Sequence, residues 1–454
     1  MKQLVNFLLI VAIFFSPVFC FGQKIKVACV GNSITYGAGI VNREKNSYPA
    51  QLQVYLGDKY EVRNFGSNGA TAFHEGDYPY VQTEAYKQAI AYSPDIVFIK
   101  LGTNDSKPQN ICYQQDFKSN YLELIRSFSK LTSKPRIILL SPLRCFLPEA
   151  APIKDSVIRS ALVPVIEEIA RKEKLEYIDL YDLMGNEYDA SLMPDRLHPS
   201  SIGAGRIAQK LYEYLKPENY DPNPCTHPIC GNEYRSGAGW KEGADWHAVS
   251  EEISQITSSQ KLDILLLGNS ITQGFGGNRR LVTYKPGKAA ADSCFTHLRW
   301  ESAGISGDRT ETLLWRIRNG GYGKSEPAYV FITIGVNNII AGHQVNDIAE
   351  GIKSVVQESK REFPDSKIVL FGLLPVGLEK ESERRQKCDA IHQLLKLQNW
   401  GDVLYVNPTP WFTQENGELK TELYGGDYLH LTTKGYEVWC QHIKDVLSLI
   451  SEIK

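Results

Sequence analysis

Short, almost wholly apolar runs alternate along this chain with longer stretches in which apolar residues recur every three or four positions. The short runs are Ile25 to Val30, Tyr60 to Phe65, Ile96 to Leu101, Ile137 to Leu140 and Leu175 to Leu180. They are followed later by Leu262 to Leu267, Phe295 to Ser302, Tyr329 to Ile334, Ile368 to Leu373 and Val403 to Val406. A run of Val, Ile and Leu without polar alternation suits a strand covered on both faces, as in a parallel sheet. The helix-period stretches between the runs supply the covering layers. The predicted class is α/β: two tandem three-layer α/β/α domains of flavodoxin-like type with parallel sheets, binding ligands at the carboxyl ends of the strands.

The duplication is also written in short strings. Gly31-Asn32-Ser33-Ile34-Thr35 returns as Gly268-Asn269-Ser270-Ile271-Thr272, Gly102-Thr103-Asn104-Asp105 as Gly335-Val336-Asn337-Asn338, and Asp195-Arg196-Leu197-His198 as Asp427-Tyr428-Leu429-His430. Their order is kept, at an almost constant offset of about 235 residues. Between the copies, Lys216-Pro-Glu-Asn-Tyr-Asp-Pro-Asn-Pro is rich in turn formers. The expected division is therefore a first domain over 23–216, a linker over 217–239 and a second domain over 240–454. Trp240 to Ile256 should form a helical lead-in to the second copy.

Residues 1–22 are expected to be a separate segment. Lys2, the apolar run Phe7 to Phe15, and then Ser16, Pro17 and Cys20-Phe21-Gly22 have the layout of a secretory leader cut after Gly22. Ser16 and Pro17 break the run short of the roughly 20 apolar residues that a membrane span needs. Bulky Phe19 argues against lipidation at Cys20. A secreted or periplasmic protein without stable membrane insertion is expected.

Composition narrows the function. With 454 residues, 43% hydrophobic and 22% charged, the chain has enough apolar material for two cores. A formal net charge of −2 leaves no basic excess for nucleic-acid phosphates, so nucleic acid is not an expected partner. The cysteines make no dense framework. Cys225 and Cys230 alone are close enough to bridge each other, with a local disulfide or free thiols as the expected state. His227 between them offers a metal alternative, but a fourth ligand and the paired zinc spacing are missing.

The repeated strings place reactive side chains just beyond strands, where loops gather chemistry: Ser33, Gly69, Asn104, Asp195 and His198 in the first copy, and Ser270, Gly307, Asn337, Asp427 and His430 in the second. A serine hydroxyl needs an imidazole to take its proton and a carboxylate to fix the imidazole tautomer. Asp three residues before His, on one tight turn, reaches Nδ1 and leaves Nε2 for the serine. Backbone N–H groups at Ser33 and Gly69 with the Asn104 amide are then suited to receive a developing oxyanion.

In this order, Gly-Asn-Ser, Gly, Gly-x-Asn and Asp-x-x-His resemble the four blocks of the SGNH (GDSL-like) hydrolases. The resemblance implies that Ser33 and Ser270 are nucleophiles, His198 and His430 general bases, and Asp195 and Asp427 their orienting carboxylates. Gly69, Asn104, Gly307 and Asn337 would form the oxyanion holes, with no cofactor and no metal required. Asn32 and Asn269 depart from the commonest first block, which has Asp. Wording around the first copy's motifs is similar to bacterial carbohydrate and sialate O-acetylesterases. Gly304-Ile-Ser-Gly-Asp-Arg-Thr in the second is similar to platelet-activating-factor acetylhydrolases.

The expected activity is therefore that of an exported serine esterase removing O-acetyl groups from glycans such as sialosides, xylan or pectin. The alternatives are a lipid-directed acylhydrolase, and one active copy beside a glycan-binding one. His74, His247, His297, His343 and His392 lack a matching motif partner and are expected to be surface or packing residues, with His74 placed nearest the first site.

Overall fold

The computed structural model describes residues 24–111, 114–231, 235 and 237–452. The expected leader, with Cys20, lies outside the described residues.

Two five-stranded sheets, parallel throughout, organise the chain. In the first half β1 (Ile25–Gly31), β2 (Tyr60–Gly66), β3 (Ile96–Lys100), β4 (Arg136–Leu140) and β5 (Glu176–Ile178) stand in the order β2-β1-β3-β4-β5. In the second, β6 (Ile264–Gly268), β7 (Trp300–Gly304), β8 (Tyr329–Thr333), β9 (Lys367–Phe371) and β10 (Leu404–Val406) repeat it as β7-β6-β8-β9-β10. This is the doubly wound α/β architecture expected from the apolar runs. Residues alternate across the first sheet: Val97, Ile99 and Leu139 enter one buried cluster, Ile96, Phe98 and Ile138 the other. Both faces of the sheet's middle strands β3 and β4 are therefore covered, whereas the edge strand β2 keeps polar, partly exposed positions such as Glu61 and Arg63.

Helices close the two faces. The longer ones of the first half are α1 (Tyr48–Leu56), α2 (Glu84–Tyr92), α3 (Phe117–Ser129), α4 (Val163–Glu173) and α5 (Ser201–Leu215). Those of the second are α6 (Trp246–Ser259), α7 (Thr310–Gly320), α8 (Val345–Glu362), α9 (Glu383–Leu397) and α10 (Thr433–Glu452). Among the described residues no helix is long and apolar enough to cross a membrane.

One run is displaced from its expected strand. Phe295 does not enter the second sheet; it ends the helix Lys288–Cys294, its amide donating to Ala291 O. The strand begins at Trp300 and continues through Ser302, Ala303 and Gly304, paired with Leu266, Leu267 and Gly268. The lead-in helix starts at Trp246, where Asp245 accepts a hydrogen bond from the Ala248 amide. Trp240 instead makes an isolated antiparallel bridge with Val282.

The segment between the sheets packs on both halves. His227 lies 4.7 Å, ring to ring, from Tyr55 of α1 and 5.3 Å from Tyr212 of α5. Asn223 Nδ2 donates to Asp347 O at the start of α8. Cys225 and Cys230 are both buried, and Cys225 is a free thiol.

Candidate active site

Each serine stands where the first strand of its sheet ends and a single helical turn begins. Asn32 Oδ1 accepts from the Ile34 amide at 3.1 Å, and Asn269 Oδ1 from the Ile271 amide at 3.0 Å. The N-cap oxygen starts the turn that carries Ser33 and Ser270. Asn provides that oxygen as Asp would, which gives the departure in the first block a physical reason.

The histidine loops are built on one carboxylate apiece. Asp195 Oδ1 accepts from the Leu197 and His198 amides at 3.0 and 2.6 Å, while Oδ2 is 2.7 Å from His198 Nδ1. Arg196, between them, is held at a φ of 70°, a strained conformation for a residue with a Cβ. Asp427 repeats this: Oδ1 binds the Leu429 and His430 amides at 3.1 and 3.0 Å, Oδ2 lies 2.6 Å from His430 Nδ1, and Tyr428 has φ 50°. The free ring nitrogens meet the serines, His198 Nε2 to Ser33 Oγ at 2.9 Å and His430 Nε2 to Ser270 Oγ at 2.9 Å.

Partial burial alone pushes the Asp195 carboxyl up, but the His198 amide and imidazole and the Leu197 amide outweigh it and hold it below the ordinary carboxylate value. Asp427 is held down in the same way. Both aspartates are therefore charged at neutral pH. A chain of hydroxyl, imidazole and carboxylate at these distances can pass a proton from oxygen to nitrogen and stabilise the resulting imidazolium.

Asn104 Nδ2 donates one hydrogen to Ala70 O at 3.1 Å, and Asn337 Nδ2 one to Asp308 O at 2.8 Å. These bonds tie each amide to the loop carrying Gly69 or Gly307. Both glycines have left-handed backbone, φ 77° and 87°, which residues with a Cβ rarely adopt.

The two sites differ in their surroundings. A Cβ at Gly69 would meet nothing within 4 Å, whereas one at Gly307 would stand 1.7 Å from Arg235 Nη1. Asp308 is buried against Arg316 at 2.6 Å and accepts from Trp246 Nε1 at 2.7 Å. Gln273 Oε1 accepts from Trp240 Nε1 at 2.8 Å and from the Ser306 amide at 3.0 Å. Sequence reasoning missed these supports. Gln273, three residues after Ser270, was the available signal, because Tyr36 occupies the matching place in the first copy.

The other histidines are spread over different surroundings. His247 is buried against Trp246, His392 lies within hydrogen-bonding distance of Tyr405 Oη and Leu373 O, and His297 is exposed. His74 pairs with Glu123 at 3.3 Å. His227 faces tyrosine rings rather than joining the cysteines. His343 approaches Cys225 instead, Nδ1 to Sγ 3.1 Å, with Glu311 nearby. Asn338 Nδ2 stands among these three groups, 2.8 Å from Glu311 Oε2, 3.2 Å from His343 Nδ1 and 3.4 Å from Cys225 Sγ.

The model of the GDSL-like Lipase/Acylhydrolase family matches residues 29–206 and again 266–438. An acetylxylan esterase of Xylanibacter ruminicola is 40% identical over 211 residues, covering 43% of this chain and 44% of its own length. Thus less than half of that relative is represented here. The human platelet-activating factor acetylhydrolase IB subunit alpha2 is 26% identical over 235 residues, 51% of this chain and 93% of the subunit. Among solved structures, a carbohydrate acetylesterase from Sinorhizobium meliloti is 18% identical, covering 42% of this chain and 99% of its own with a TM-score of 0.36.

Proposed function

The chain belongs to the GDSL-like lipase/acylhydrolase family in both halves, and from that premise we propose that it is an exported carbohydrate esterase removing acetyl groups from glycans at two sites. The observation that carries the reading is the pair of Ser–His–Asp chains, each closed by hydrogen bonds of 2.6 to 2.9 Å. Export rests on the leader-like residues 1–22.

In the first site His198 Nε2 takes the Ser33 proton as Oγ attacks the acetyl carbonyl carbon. Negative charge moves to the carbonyl oxygen, which accepts hydrogen bonds from the Ser33 and Gly69 amides and the second hydrogen of Asn104 Nδ2. Collapse breaks the ester C–O bond, and His198 gives its proton to the departing sugar oxygen. Water then attacks the acetyl-serine with His198 again as base, releasing acetate and restoring Ser33. Ser270, His430, Asp427, Gly307 and Asn337 perform the same steps in the second site. The acetyl preference is supported by the acetylxylan esterase and acetylhydrolase relatives.

The test is acetate release by wild type, Ser33→Ala, Ser270→Ala and the double variant on acetylated sialosides, xylan and pectin, with a long-chain ester as control. Each single variant should lose part of the activity, and the folded double variant all of it. Activity surviving in the double variant overturns the mechanism, and cleavage of the long-chain ester alone replaces glycans with lipids as substrates.

A further inference from the structure

A cleft lined by both halves of the chain lies beside Gly307 and Asn337 of the second site. It has a volume of about 300 Å³ and is walled across from them by Leu192 and Ile202 of the first half. That volume is at the small end of pockets that hold compact ligands.

Its charged lining consists of Arg206, Arg235, Arg309 and Asp308. Asp308 is neutralised by buried Arg316, and Arg309 is paired with Glu311 at 2.7 Å. Arg206 is exposed and helps hold the Asp189 carboxyl below its ordinary value, after the larger effect of Ser191. Arg235 makes no ion pair among the described residues, and its guanidinium lies against the Gly307 backbone. The cleft therefore offers positive charge on both walls, next to the groups assigned to the oxyanion. Among the described residues, the first site has no such cover at Gly69.

We propose that the second site takes an acetylated sugar acid, whose own carboxylate is held by Arg235 with Arg206 facing it across the cleft. A planar guanidinium matches a carboxylate with two parallel hydrogen bonds, and a narrow cleft strengthens that attraction relative to open water. Uronic and sialic acids both carry this group. Arg235 and Arg206 are specificity residues of one pocket, although one follows the linker cysteines and the other belongs to α5. The inference rests on Ser270 being the nucleophile of that site.

Two measurements separate recognition from turnover. In a Ser33→Ala background, kcat/KM is compared for an O-acetylated galacturonoside, an O-acetylated sialoside and the methyl ester of each. In the Ser33→Ala/Ser270→Ala protein, calorimetry compares binding of the same compounds. The acids should be preferred over their methyl esters, and Arg235→Gln or Arg206→Gln should reduce that preference about tenfold in both assays, as expected for a lost charged hydrogen bond. The preferred acid identifies the sugar family. An equal response to acid and methyl ester, or a preference that survives both substitutions, overturns the proposal. If binding shows the preference but the Ser33→Ala protein releases no acetate, the esterase reading of Ser270 fails and the carboxylate site stands.

Discussion

Asp105 and Asn338 occupy the same place in the two halves, and only Asp105 can ionise. Asp105 Oδ1 accepts from the Ala72 and Phe73 amides at 2.8 and 3.0 Å, and Asn338 Oδ1 from the Thr310 amide at 3.0 Å. Burial pushes the Asp105 carboxyl up to about 7 from 3.8, against the pull of those amides. The fold thus prefers the protonated acid, and stability present at low pH is lost as pH rises from about 4 to about 7. Asp105→Asn removes this dependence: between pH 5 and 8 its unfolding free energy should improve relative to wild type by on the order of 2 kcal/mol, read from urea titrations. The proposed oxyanion donors Asn104 and Asn337 are their neighbours. Asn337→Ala in a Ser33→Ala background should lower kcat about a hundred- to a thousandfold, as loss of one oxyanion donor does. The residues brought together in both sites were legible in sequence because each motif is local and its order is fixed by successive strand ends. Arg235 against Gly307 was not, because the two are brought together only by the tertiary path of the chain.

At the scale of elements, strand positions could be read wherever a strand is wholly apolar. β3 and β8 fall within their expected runs, apart from the last residue of each run, since every residue from Ile96 to Ile99 and from Val330 to Ile332 is buried. β7 was misplaced because four of its five residues, Glu301, Ser302, Ala303 and Gly304, are polar or small and do not register as hydrophobic, although all are buried. Glu301 is tolerated there because the Asn278 and Ser302 amides satisfy its carboxylate. Beside it, Arg316 of α7 joins the second site's loop to the sheet: its guanidinium holds Asp308, Ala303 O and Gly268 O. Arg316→Met leaves Asp308 as an uncompensated buried charge and should cost about 3–5 kcal/mol in equilibrium unfolding. A loss below about 1 kcal/mol would show that the loop does not depend on this pair.

For the whole molecule, the number of sheets and their order of repetition were plain from the duplicated strings, while the way the halves meet was not. The contacts run through the segment between them, where His227 sits against Tyr55 and Tyr212. Burial lowers the His227 pKa, and the Asn223 carbonyl only partly opposes this. The neutral ring is the one the fold prefers, so stability held at neutral pH is lost as pH falls below the ordinary histidine range. Thermal unfolding at pH 7.5 and 5.5 should show a larger acid loss for wild type than for His227→Phe, and equal losses would remove His227 as the source. The shared cleft has a different consequence. Leu192, Ile202 and Arg206 belong to one copy and line the cleft beside Gly307 and Asn337 of its sibling, so the second copy is not modular on that side. On the proposed function, a mutation on the outside of the first copy should alter selectivity in the second, and transplanting the second copy alone into another protein should leave one wall of its cleft behind.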